Sequence, residues 1–89
     1  MFPVHPGRVL KRELAARGLS ANRLALALRV PSGRITDILN GKRGISPEMA
    51  VRLSKVFGGS AESWLVQQAQ YDLAQVDTDR IKVKRLEPA

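Results

Sequence analysis

At 89 residues with a net charge of +7, the chain suits one domain with a modest core rather than two, and a polyanionic partner is expected. With no Cys and one His, it has no disulfide, thiolate metal site, cysteine nucleophile or His-rich centre, so neither metal nor cofactor is expected. No apolar run approaches the ~20 residues of a membrane span, and Met-Phe-Pro-Val-His does not read as a signal peptide, so a soluble, cytoplasmic chain with no membrane partner is expected.

Helical periodicity governs most of the chain. Pro6 and Gly7 open a first helix over about 6–17, with Val9, Leu10 and Leu14 on its apolar face and Gly18 as its stop. Ser20 offers an N-cap oxygen to a second helix over about 21–28, in which Leu24, Ala25 and Leu28 recur at helical spacing. Val30-Pro31-Ser32-Gly33 leads into a short third helix that ends at Asn40-Gly41. Its Ile35, Ile38 and Leu39 point inward, which turns Arg34, Thr36, Asp37 and Asn40 outward. Ser46-Pro47-Glu48 starts a fourth helix, with Met49, Ala50, Leu53, Val56 and Phe57 as its stripe until Gly58-Gly59. Ser60 opens a fifth, carrying Trp64, Leu65, Ala69, Leu73 and Val76.

After Val76 the period changes to two. Arg80-Ile81-Lys82-Val83-Lys84 alternates charge with β-branched residues, the pattern of a half-buried strand, and such a strand needs a partner. The fold class expected is all-α: a five-helix unit over 1–76 that includes a dimerisation helix, followed by a tail over 77–89. In that tail a short strand containing Ile81 and Val83 would pair across a dimer.

The charge is unevenly spread: residues 1–60 hold 11 Lys+Arg against 3 Asp+Glu, and residues 61–89 hold 4 against 5. Two short helices joined by a tight turn, the second with a polar outer face, in a basic region make a helix-turn-helix arrangement. The major groove of B-DNA, roughly 12 Å wide, admits one helix whose first turns reach base edges. Base readout is therefore expected from Ser32, Gly33, Arg34 and Thr36, with Asp37 and Asn40 one turn deeper. Arg34 suits guanine, Asn40 adenine and Asp37 cytosine N4, while Gly33 lets the backbone come close; Asp37 alternatively serves as a cap or a partner of Arg34. Phosphate contacts are expected from Ser20, Asn22 and Arg23 at the start of the second helix and from Lys42 and Arg43 after the third. Ser20 also reads as a plain cap, and Lys42-Arg43 as a solvated turn.

Trp64 and Tyr71, seven residues apart, share a helix face that is either core or a dimer seam, with Gln67, Gln68, Tyr71 and Leu73 in or beside that seam. His5 is expected to cap or staple the first helix. There is no Gly-rich phosphate loop followed by Lys-Ser/Thr and no His-Glu-x-x-His, and the carboxylates are scattered, so no enzyme is expected. Four aromatic residues provide little for stacking RNA bases.

Residues 5–73 resemble the HigA-type antitoxins of the Cro/C1-type (XRE, lambda-repressor-like) helix-turn-helix superfamily. The resemblance rests on His5-Pro6-Gly7, on Val30-Pro31…Ile35…Ile38-Leu39-Asn40-Gly41-Lys42-Arg43-Gly44-Ile45-Ser46, on Met49-Ala50…Leu53…Phe57-Gly58, and on Ser60-Ala61-Glu62-Ser63-Trp64-Leu65…Gln68…Tyr71-Asp72-Leu73. It implies a bacterial homodimer that binds a palindromic operator in double-stranded DNA, represses its own operon and neutralises a HigB-type, RelE-like mRNA endonuclease toxin. The toxin contact is expected on the folded domain, around the first helix and first residues. Ala21-Asn22 stand where such repressors often carry Gln, so that phosphate contact does not transfer, nor does an operator sequence. A stand-alone repressor of the same fold is the alternative.

Overall fold

Helix boundaries follow from local capping chemistry, because the first N–H groups of each helix need acceptors. In the computed structural model, which describes residues 2–87, α1 (Pro6–Arg17) begins where His5 Nδ1 accepts from the Gly7 N–H at 2.9 Å. For α2 (Ala21–Leu28) the acceptor is Ser20 Oγ, which takes the Arg23 N–H at 3.1 Å. Ser46 and Ser60 do the same for α4 (Pro47–Phe57) and α5 (Ala61–Ala74), each at 3.1 Å. The remaining helix, α3 (Ser32–Leu39), starts at Pro31 without a side-chain cap. Gly18 closes α1 in the left-handed region at φ 60°, and Arg29 closes α2 at φ 59°, the one non-glycine residue with positive φ among those described.

The apolar stripes meet in one core. Leu10 and Leu14 of α1, Leu24 and Leu28 of α2, Ile35 and Ile38 of α3, and Met49 and Leu53 of α4 are buried, and Trp64 closes the cluster from α5. Fully burying side chains of this size contributes roughly 1.5–3 kcal/mol each. The helix pair α2 and α3 packs together, α1 lies against α3 and α5, and α4 lies against α2 and α5. The first residues of α1 meet the end of α3 so closely that a Cβ on Gly7 would run into the Ile38 carbonyl oxygen and sit 2.9 Å from its carbon.

Two expectations change at the C-terminal end. Val56, Leu73 and Val76, placed on apolar stripes by their spacing, are 39%, 71% and 47% exposed, because the buried cluster ends at Trp64 and the described residues leave these side chains largely open. The helix stops at Ala74 rather than reaching Val76, and Asp77 caps a single 3-10 turn at Thr78–Arg80 through its Oδ1, which accepts from the Asp79 N–H at 3.2 Å. Among the described residues no strand forms. The alternating Arg80–Lys84 segment is irregular, with Ile81 and Val83 55% and 81% exposed, since a single chain offers its backbone no sheet edge. Pro88 lies outside the described residues. No helix among them is long and apolar enough to cross a membrane.

Candidate nucleic-acid interface

The packing of α2 on α3 decides which side chains of α3 face outward. Burying Ile35 and Ile38 leaves Ser32, Gly33, Thr36 and Asn40 exposed, as their spacing predicts. Around Gly33 there is open space where a Cβ would go, so the backbone of the first turn of α3 is accessible to a large ligand. Thr36 donates its hydroxyl to the Ser32 carbonyl at 3.1 Å, and a hydroxyl that donates can still accept. Ser20, Asn22 and Arg23 are exposed at the start of α2, and Ser20 Oγ is occupied as the cap. Lys42 and Arg43 are exposed in the turn after α3, whose shape is fixed by their N–H groups donating to the Asp37 carbonyl at 2.8 and 3.3 Å.

Arg34 departs from its expected outward position. Its Nη2 donates to Glu48 Oε1 at 3.1 Å and to Ser46 Oγ at 3.3 Å, and its side chain is only 23% exposed. Its Nε is buried without a partner among the described residues. Glu48 also lies 3.8 Å from Arg52, whose Nη1 donates to the Leu28 carbonyl at the end of α2, at 2.6 Å. One carboxylate thus joins the start of α4 to α3 and, through Arg52, to the end of α2. Asp37 is half-buried and takes no part in this network, so the partner of Arg34 is Glu48 rather than Asp37.

Residues expected at a dimer seam divide into two groups. Gln67, Gln68 and Tyr71 are half-buried against their own chain. Gln68 Oε1 accepts from the Ile45 N–H at 2.8 Å and its Nε2 donates to Asp72 Oδ1 at 2.9 Å, which fastens the loop after α3 to α5. Tyr71 meets the His5 ring edge-on, with centroids 4.9 Å apart. Gln67 points its Oε1 into a buried position with no partner among the described residues. Leu73, Ile81 and Val83 are exposed, as are Val66 and Phe2.

Sequence reasoning missed Glu48, Arg52 and the loop-holding role of Gln68. Their partners lie 14, 24 and 23 residues away, beyond the reach of periodicity. The cap by His5 was legible because its acceptor and donor are two residues apart.

Comparison with known proteins agrees with this geometry. A helix-turn-helix family model matches residues 10–64. The chain is 43% identical over 89 residues to virulence-associated protein I of Dichelobacter nodosus, covering 99% of this chain and 82% of that protein. It superposes on an addiction module antidote protein of the HigA family from Coxiella burnetii with a TM-score of 0.80 and 47% identity, covering 83% of this chain and 82% of that one. It superposes equally well on the antitoxin HigA of Pseudomonas aeruginosa, solved with the higBA promoter, with a TM-score of 0.79 and 42% identity over 81% of this chain and 79% of that one. The capped five-helix unit, its exposed α3 and these likenesses together place the chain in the XRE-type helix-turn-helix family, grouped with the HigA-type antitoxins.

Proposed function

We propose that the chain is the antitoxin of a toxin–antitoxin module, which binds its own operator as a homodimer and neutralises a HigB-type, RelE-like endonuclease. The observation that carries the DNA half of this reading is the exposed first turn of α3 beside two exposed cations held by the Asp37 carbonyl. In this reading Ser32, Gly33, Thr36 and Asn40 read base edges, and Arg34 and Asp37 lie at the margin of the readout. Arg34 reaches guanine only by exchanging its contact with Glu48 for one with the base. Ser20, Asn22, Arg23, Lys42 and Arg43 hold phosphates, so they set register and affinity rather than sequence. Dimerisation uses the exposed face of α5 around Leu73, with Gln67, Gln68 and Tyr71 behind it and the Ile81 and Val83 tail beside it. Apolar side chains exposed together on one element favour association with a second copy.

The experiment is a footprint on the DNA upstream of the gene, paired with growth rescue on co-expression of the neighbouring toxin gene. A two-fold symmetric footprint with half-sites about 34–36 Å apart, or a multiple of that, supports the dimer. Growth rescue supports the antitoxin role. An asymmetric footprint contradicts the dimer, and repression without rescue leaves a stand-alone repressor.

A further inference from the structure

Three cations on α1 have no role in the site described above. Arg8, Lys11 and Arg12 line an open groove of about 660 Å³ together with His5 and with Leu39, Asn40 and Gly41 at the end of α3. All three are exposed, and among the described residues no carboxylate lies within 4.0 Å of any of them. The arginines that do have carboxylate partners, Arg17, Arg34, Arg52 and Arg80, lie elsewhere.

This arrangement opposes the stability of α1. Arg8 sits in the first turn of the helix, which contains no acidic residue, where the helix dipole disfavours a cation. Arg8 is also three and four residues from Lys11 and Arg12, spacings at which like charges repel. A bound polyanion would offset both costs. At 1.5 Å rise per residue, Arg8 and Arg12 are about 6 Å apart along the helix axis, which matches roughly two nucleotide steps of one DNA strand at 3.4 Å each. The groove also continues into the proposed phosphate contacts: Asn40 and Gly41 form its wall, and Lys42 and Arg43 are the next two residues.

We propose that the α1 groove is a second, sequence-independent DNA site, which seats the phosphodiester backbone flanking the half-site read by α3. It rests on the reading of α3 as the base-reading helix. Arg8, Lys11 and Arg12 lengthen the footprint outward from each half-site, so affinity depends on duplex length beyond the bases that are read.

The test uses the full chain, an operator duplex obtained by selection from random sequences, and the same operator trimmed to its selected bases. The triple variant R8A/K11A/R12A, whose fold is checked by its melting curve, is compared with the unaltered chain across a range of salt. On the long duplex the slope of log K against log[salt] should fall in magnitude by about 2, at 0.9 per lost phosphate contact, with at least a tenfold loss of affinity and unchanged base preference. On the trimmed duplex the two proteins should bind alike, and R8K/R12K should restore the slope. An unchanged slope on the long duplex overturns the proposal. An equal loss on both duplexes places the groove on the operator core and overturns the flanking assignment. Unchanged DNA binding with lost binding to polyglutamate assigns the groove to an acidic protein surface instead. If selection yields no preferred sequence, the reading of α3 has failed, while the slope on a random 40-base-pair duplex still tests the groove.

Discussion

Replacing Gly7 with Ala tests the close backbone approach of α1 to the end of α3. The added Cβ would collide with the Ile38 carbonyl oxygen while lying 2.9 Å from the carbonyl carbon and 3.0 Å from His5 Nδ1. Ordinary contact between carbon atoms begins near 3.5 Å, so α1 must move away from the end of α3 by about 1 Å. Overpacking of this kind costs about 1–3 kcal/mol, and the upper end applies because the obstacle is backbone and no rotamer change relieves it. Ala recovers up to about 1 kcal/mol through its helix propensity, which leaves a net loss of about 2 kcal/mol. For a domain of this size that corresponds to a fall in melting temperature of about 8–16 °C. Thermal denaturation followed by circular dichroism at 222 nm reads it directly. A melting temperature within 3 °C of the unaltered chain, or above it, would refute the packing argument, because it would mean that α1 and α3 can separate at no cost.

Gly33→Ala should separate stability from function: the Cβ enters open space, so the melting temperature should hold or rise slightly, while operator affinity falls by at least fivefold as the methyl group holds the backbone off the DNA. Arg29→Gly removes the one left-handed non-glycine residue among those described and should stabilise the chain by about 0.5–1 kcal/mol, read as a rise in denaturation midpoint. Gln68→Ala leaves the half-buried Ile45 N–H without its acceptor and should cost about 1–2 kcal/mol, with faster amide exchange at Ile45 than in the unaltered chain; unchanged exchange would show that the bond is dispensable. Lys42→Ala should weaken binding to all duplexes alike and lower the salt slope by about 0.9, without changing base preference.

The parts of the fold legible from sequence are those whose causes are local. Ser20, Ser46 and Ser60 each take an N–H three residues on, and His5 takes one two residues on, so the starts of four helices could be read from single short stretches. The inward positions of Ile35 and Ile38 followed from periodicity, and with them the exposure of Thr36 and Asn40. Arg34 broke this pattern. Periodicity fixes the direction in which its Cβ leaves α3, but its long side chain bends toward Glu48, which only the packing of α4 brings near. The alternation at Arg80–Lys84 failed for a related reason: a strand pattern records which residues would alternate sides, and it carries no information about whether an edge exists to pair with. The α1 groove was invisible because it joins residues 8–12 to residues 39–41, neither of which forms a motif alone.

The bond from Gln68 to Ile45 gives α5 a hold on the loop that follows α3. The cationic turn after α3 is tethered at Gly44-Ile45 by an amide that rises from α5, one turn before the exposed stretch around Leu73. The placement of the loop bearing Lys42 and Arg43 therefore depends on the position of α5 as well as on α3. The Gln68 side chain has little slack, since a Cβ on Gly44 would already be 2.9 Å from it. A residue 23 places along the chain from Ile45 thus belongs to what holds Lys42 and Arg43 in position, although it makes no hydrogen bond to either of them.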